Sequence, residues 1–149
     1  MITPTRRVLG CCALLAMAGA PAATITIQCP DKFPAEAIHF SAAPTGWTPY
    51  APNALEARTA ELMYGPPSSY TYAAPTTFHE GKRRDVGVWG ASATGENWLQ
   101  CGYGAGRELT LSQRLPPVTD CTITMHKDTQ GNVVKVSASC RLAAAGPNR

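Results

Sequence analysis

The chain of 149 residues carries 13 Lys and Arg against 10 Asp and Glu, a formal charge of +3, and 44% of its side chains are hydrophobic. That length allows one domain with one modest core. The weak positive charge argues against a nucleic-acid partner, because such binding is largely phosphate neutralisation by a basic face.

Arg6 and Arg7 precede an apolar run from Val8 to Ala20, the charged-then-apolar order of an export signal. The run is shorter than the roughly 20 residues a membrane span needs. Ala20 and Ala22 supply the small residues of a cleavage site. A leader of residues 1–22 is therefore expected, with the mature chain starting near Ala23; a cut after Ala20 would leave Pro21 first, which suits a peptidase poorly. "VLGC" (8–11) looks like a lipoprotein site but follows Arg7 with too little apolar core. "TRRVLG" loosely resembles a twin-arginine signal but has Gly10 where that pattern wants an apolar residue. The general secretory route is expected, delivering the chain to the periplasm or beyond it with no stable membrane anchor after cleavage. Removal of Arg6 and Arg7 takes Lys plus Arg from 13 to 11 against 10 acids, a mature charge of +1.

After the leader, Ile25, Ile27 and Cys29 alternate with Thr24, Thr26 and Gln28, which predicts a half-buried strand. Prolines 30, 34, 44, 49 and 52 then allow short extended pieces such as Ala37–Ser41 and Trp47–Tyr50, but no long helix. "NALEARTAELMYGPP" reads two ways. Asn53 and Glu56 have capping-box spacing with Gly65 as a stop, yet no clean apolar stripe supports a helix, and a strand near Ala60–Tyr64 reads equally well. Further strands are predicted at Tyr70–Ala73, Arg83–Trp89, Asn97–Tyr103, Glu108–Ser112, Cys121–Lys127 and Val133–Arg141, separated by turn-rich segments. The basic run Lys82-Arg83-Arg84 reads as a solvated loop or an edge-strand guard, and "LAAAGPNR" (142–149) closes the chain, with residues 143–149 expected as a flexible tail and residues 23–142 as a single β domain.

Four cysteines remain outside the leader: Cys29, Cys101, Cys121 and Cys140. An even count in a small exported domain is a disulfide framework. If Gln130-Gly131 centres a turn, residues whose numbers sum to 261 face each other. Cys121 then opposes Cys140, Ile123 opposes Ala138 and Met125 opposes Val136 on one face, while the other face is polar throughout. That leaves Cys29 for Cys101, joining the first strand to a central one. With no C-x-x-C spacing, neither zinc nor thioredoxin-like chemistry is indicated.

Catalytic signatures are lacking: there is no G-x-S-x-G elbow, no H-E-x-x-H and no phosphate-binding glycine loop. His39, His79 and His126 are scattered, and ordinary surface histidines are the simpler reading. No cofactor is implied. Trp98 lies on the strand face opposite Leu99, Cys101 and Tyr103. Trp98, Tyr103 and Arg107, the last at the tip of Gly104-Ala105-Gly106-Arg107, are the candidate partner-binding residues, because aromatic side chains beside arginine are typical of protein-binding hot spots.

"WLQCGYG" (98–104), "ELTLSQRLPPVTDCTIT" (108–124) and "VVKVSASC" (133–140) resemble a family of small uncharacterised exported proteobacterial proteins with a Trp-x-x-Cys-x-Tyr, Leu-Pro, Cys, Cys pattern. Cys29-Pro30, "GWTPY" (46–50) and "LMYGPP" (62–67) fit its N-terminal half. The resemblance implies a four-cysteine exported domain, favours a strand at Ala60–Tyr64, and transfers no catalytic residue. Members encoded near type VI secretion genes would suit a periplasmic immunity role.

The expectation is an all-β domain, an antiparallel meander packed as a small sandwich or partly closed barrel, with two disulfides and at most one short helix. It is expected to bind another envelope or secreted protein as an inhibitor or immunity-like module, rather than act as an envelope hydrolase or a structural envelope protein.

Overall fold

A computed structural model describes residues 23–93 and 95–144. The expected leader, residues 1–22, and the end of the tail, residues 145–149, lie outside the described residues. Nine strands form: β1 (Thr24–Gln28), β2 (Lys32–Phe33), β3 (Leu55–Tyr64), β4 (Pro75–His79), β5 (Arg84–Gly90), β6 (Asn97–Tyr103), β7 (Leu109–Arg114), β8 (Val118–Lys127) and β9 (Val133–Leu142). They make an antiparallel first sheet in the order β1-β9-β8-β5-β4 and a second in the order β2-β3-β6-β7. The chain passes from one sheet to the other after β1, β3, β5 and β7, so the two layers are laced together and stay an open sandwich.

Alternation explains the layers. In β8 and β9 Cys121, Ile123 and Met125 are buried opposite Cys140, Ala138 and Val136, the register the sequence predicts, and Val118 is buried before them. The turn that sets it is built on Asp128, whose carboxylate accepts from the N–H groups of Gln130 and Asn132, and on Gly131 at φ 89°. Leu62, Leu99, Tyr103, Ile123 and Val136 are fully buried between the sheets, and Trp89 joins them. Cys29–Cys101 bridges the sheets across a separation of 72 residues, and Cys121–Cys140 joins neighbouring strands across 19.

Three segments differ from the sequence reading. Residues 55–64 form one ten-residue strand, so the helical option for 53–64 does not occur. The good helix formers there are overridden because β3 pairs with β6 along almost its whole length and is tied to the first sheet at both ends. One tie is Arg58 donating to the Val133 carbonyl (3.1 Å), and the other is the Tyr64 hydroxyl donating to the Gly90 carbonyl (2.9 Å). Second, Tyr70–Ala73 is no strand. After Gly65 (φ 88°) a 3₁₀ turn at Pro67–Ser69 reverses the chain, which returns along the edge of β3 by a single bridge between Met63 and Tyr72. Third, β4 replaces it as the edge strand, with all five residues exposed. A second 3₁₀ turn at Ala35–Ala37 ends where the extended piece Ala37–Ser41 was expected to begin, and residues 38–54, which include Trp47–Tyr50, form no strand. Ala143, counted with the tail, still donates its N–H to the Pro117 carbonyl.

Candidate partner-binding cleft

Beside β3 the two sheets part. Between Arg58–Glu61 of β3 on one side and β4 and β5 on the other lies a cleft of about 620 Å³. Its floor is Ala60, Trp89 and Met125, and its outer wall is Phe78. Gly87 makes this floor possible. A Cβ at Gly87 would come within 2.5 Å of the Trp89 ring and 2.9 Å of Phe78, so the indole lies across the strand only because nothing projects there. Phe78 meets Trp89 edge to face at 6.5 Å. The pair grades from buried to open, Trp89 being 4% exposed and Phe78 45%. The Trp89 indole N–H has no acceptor among the described residues.

The rim is polar and held in place. Arg107 sits in the left-handed region (φ 57°), an uncommon conformation for a residue with a side chain, and pairs with Glu61 at 2.7 Å while remaining half exposed. Its turn needs Gly104 at φ 83°, where any side chain would overlap the Glu108 carboxylate, and Glu108 in turn accepts from the Gly106 N–H. Tyr72 donates to Gln100 (3.1 Å), whose amide donates to Ser112 (3.3 Å), so the phenol is fixed across the outer face of the second sheet. Beyond this ridge a second depression of about 510 Å³ is lined by Tyr70, Tyr72, Arg107 and Thr110. Tyr70 also has a positive φ (51°) and is 77% exposed. Tyr72 and Arg107 therefore stand as a ridge between two concavities, and both of the described non-glycine residues with positive φ border them.

One end of the cleft is closed by a charge pair, Asp85 with Lys127 at 2.6 Å. Burial alone raises the Asp85 carboxyl. The hydrogen bonds from Lys127 and the Gly81 N–H, together with the Lys127 charge, outweigh it and leave the group below the ordinary carboxylate value.

The three residues predicted for partner binding are not brought together. Arg107 is on the ridge. Trp98 lies on the same outer sheet face, but its N–H donates to Glu96, which also pairs with Arg114. The Arg107 side chain lies over Gly102, four strand residues from Trp98, or about 13 Å. Tyr103 faces inward with no exposure, edge-on to Phe33 at 6.0 Å, so its side chain is core rather than surface. Burial and the charge of Asp31 raise its hydroxyl above the ordinary phenol value, and that hydroxyl has no partner among the described residues. The aromatic neighbours of Arg107 are instead Tyr70 and Tyr72, with Phe78 across the cleft. The signal for them in the sequence is "SYTYA", two tyrosines two residues apart in a segment too poor in aliphatic residues to be core.

No histidine or cysteine lines the cleft, and among the described residues no cluster of His, Cys, Asp and Glu is arranged to hold a metal ion. A further concavity of about 620 Å³ lies at the loop end of the sandwich near Ser92, Asn97 and Pro117. No aromatic residue lines it, and the Asn97 side chain is engaged with the Ser92 backbone (2.7 and 3.1 Å).

No curated protein and no solved structure matches this chain. A family model does: that of the type VI secretion system Tli immunity proteins, over residues 51–141. The match runs from just before β3 through nearly all of β9 and takes in both walls of the cleft and its ridge, leaving β1, β2 and Cys29 ahead of it. An immunity-like inhibitor works by binding protein, and an open two-disulfide sandwich with a fixed aromatic-and-arginine ridge suits that work. The chain belongs to the type VI secretion system Tli immunity protein family.

Proposed function

We propose that this chain neutralises a toxin protein delivered by type VI secretion, and that it does so outside the cytoplasm by receiving part of the toxin in the cleft beside β3. The observation that carries the reading is the family match, whose span contains every residue named on the cleft and ridge. Tyr72 and Arg107 are the anchors, Phe78 and Trp89 the apolar seat. Trp98 extends the contact along the same sheet face, and Tyr103 holds β6 from beneath. Preorganisation supports the assignment, since disulfides, the Arg107–Glu61 pair and the Tyr72–Gln100 bond leave little to be ordered on binding. Two disulfides fit the oxidising periplasm, with residues 1–22 as the leader that sends the chain there and residues 23–142 as the single working domain. The role is one of binding rather than of catalysis.

The test uses killing between siblings. Cells lacking this chain are mixed with armed, unmodified cells of the same strain, then rescued with the full chain or with one lacking residues 1–22. Survival restored by the full chain alone is the expected result. Equal survival with and without the chain contradicts the reading, and rescue by the leaderless chain contradicts its placement outside the cytoplasm.

A further inference from the structure

The cations of this molecule are not spread evenly. Among the described residues, Arg58, Arg107, Arg114, Lys127 and Arg141 each pair with a carboxylate. Lys32, Lys82, Arg83, Arg84 and Lys135 do not, and the last four gather at one corner of the first sheet, at the end where the β4–β5 and β8–β9 turns lie. Register places them. Arg84 on β5 stands opposite His126 on β8, and His126 stands opposite Lys135 on β9, so three basic side chains cross the outer face in one row. Their Cβ atoms are spaced by roughly 5 Å per strand. His79 on β4 lies on the same face, opposite Val86, and Lys82 and Arg83 project from the β4–β5 turn.

That turn is fixed from behind. The Asp85 carboxylate accepts from the Gly81 N–H (3.1 Å) and from Lys127 (2.6 Å), and the Lys127 N–H donates to the Arg83 carbonyl (2.8 Å). Gly81 leaves no room for a side chain, because a Cβ would come within 2.6 Å of the Arg84 carbonyl oxygen. Two further acids lie nearby and leave the four cations in excess: Glu80 is the one carboxylate of the turn, and Asp128 at the neighbouring hairpin is held by the N–H groups of Gln130 and Asn132 rather than by any of the four cations. In a chain whose 11 cations and 10 acids outside the leader nearly balance overall, four unpaired cations are held in one place on a rigid support.

We infer that this corner is a second docking surface, formed by Lys82, Arg83, Arg84 and Lys135, which takes an acidic segment of a protein partner. It is separate from the cleft and rests on the proposed function only for the class of partner. A protein is favoured over an anionic bilayer because the row is flanked by Thr124 and Ser137 on the same face, with no exposed aromatic side chain there to enter lipid.

The probe is a fluorescent oligoglutamate peptide, titrated by anisotropy against the mature oxidised protein, beside co-sedimentation with phosphatidylglycerol-containing vesicles. The inference expects peptide binding that weakens steeply with added salt. In K82S/R83S/R84S it should fall about tenfold or more, and in Arg107→Ala it should be unchanged. Peptide binding equal in the triple variant and the wild type, or absent in both, overturns it. Vesicle binding without peptide binding replaces it with a membrane contact. A triple variant that self-associates while keeping its peptide affinity shows that the cations only guard the β4 edge. Because Arg107→Ala touches the cleft and not the corner, undiminished protection by that variant counts against the cleft and not against the corner, while loss of peptide binding in K82S/R83S/R84S alone bears on the corner.

Discussion

The β8–β9 hairpin and the passage from Tyr64 to His79 are built on opposite logic. The hairpin keeps strict two-residue alternation through six consecutive pairs, from Cys121–Cys140 to His126–Lys135, and its interior side is entirely apolar or disulfide-bonded. Every local preference agrees with the global one there. In the passage from Tyr64 to His79, a glycine and two prolines end β3, a 3₁₀ turn reverses the chain, Tyr70 takes a positive φ, and β4 follows with no buried residue. Nothing in it is determined by its own apolar pattern. It is held by what lies beside it, the Met63 bridge and the Gln100 amide. The hairpin is where local pattern and global fold agree, and the irregular passage is where the molecule offers a surface.

The contrast can be broken most forcefully at the disulfides. Chain entropy assigns about 4 kcal/mol to Cys29–Cys101 and about 3 kcal/mol to Cys121–Cys140. The double variant C29S/C101S should therefore lose more in urea unfolding than C121S/C140S. The reverse order would mean that the hairpin bond, not the bond between sheets, holds the sandwich. Asp85→Asn is next, at about 2 kcal/mol, because it leaves Lys127 in a partly buried position without its charge partner. Since the native Asp85 carboxyl lies below its ordinary value, its contribution is present above the ordinary carboxylate range and is lost as pH falls through the lowered native value. Stability curves of D85N and wild type should accordingly converge in acid, and a constant gap down to the lowest pH would show that the pair does not act through charge. Gly87→Ala should cost about 1–3 kcal/mol by driving a methyl into the Trp89 ring, with the loss of native tryptophan fluorescence as its readout.

The smaller effects on stability sharpen the comparison. Arg107→Ala removes a half-exposed ion pair, so its melting temperature should move by less than the equivalent of about 1 kcal/mol, while partner affinity falls about 30-fold in the manner of a hot spot. Tyr103→Phe should leave affinity unchanged and stability equal or slightly raised, because the hydroxyl it removes is buried without a partner. A drop in affinity for Y103F would place that hydroxyl in the interface after all.

The parts legible in the sequence are those governed by alternation. The hairpin register and the common face of Leu99, Cys101 and Tyr103 follow from period-two patterning, and both disulfides follow from the register and the count of cysteines, but that Tyr103 on this face is core rather than partner-binding surface does not. β3 was open between two readings because Leu55–Tyr64 is rich in helix formers, and only its pairing with β6 decides it. β4 could not be found by pattern: it starts at a proline, buries nothing, and is a strand solely because β5 offers it an edge. Arg107 could be marked from the glycines around it, and the tyrosines of "SYTYA" from their setting, but that they border the same concavity could not. Tyr72 reaches it from a different element, brought there by a turn whose direction Gly65 and the sheet edge set together.

The most direct test of the central claim is the survival of cells carrying Tyr72→Ala/Arg107→Ala in place of the wild-type chain, mixed with armed siblings, with the variant first shown to unfold at the same urea concentration as wild type. Binding through the ridge and cleft predicts that a fully folded variant no longer protects. Undiminished protection by that variant would contradict the account and move the contact to another face of the molecule.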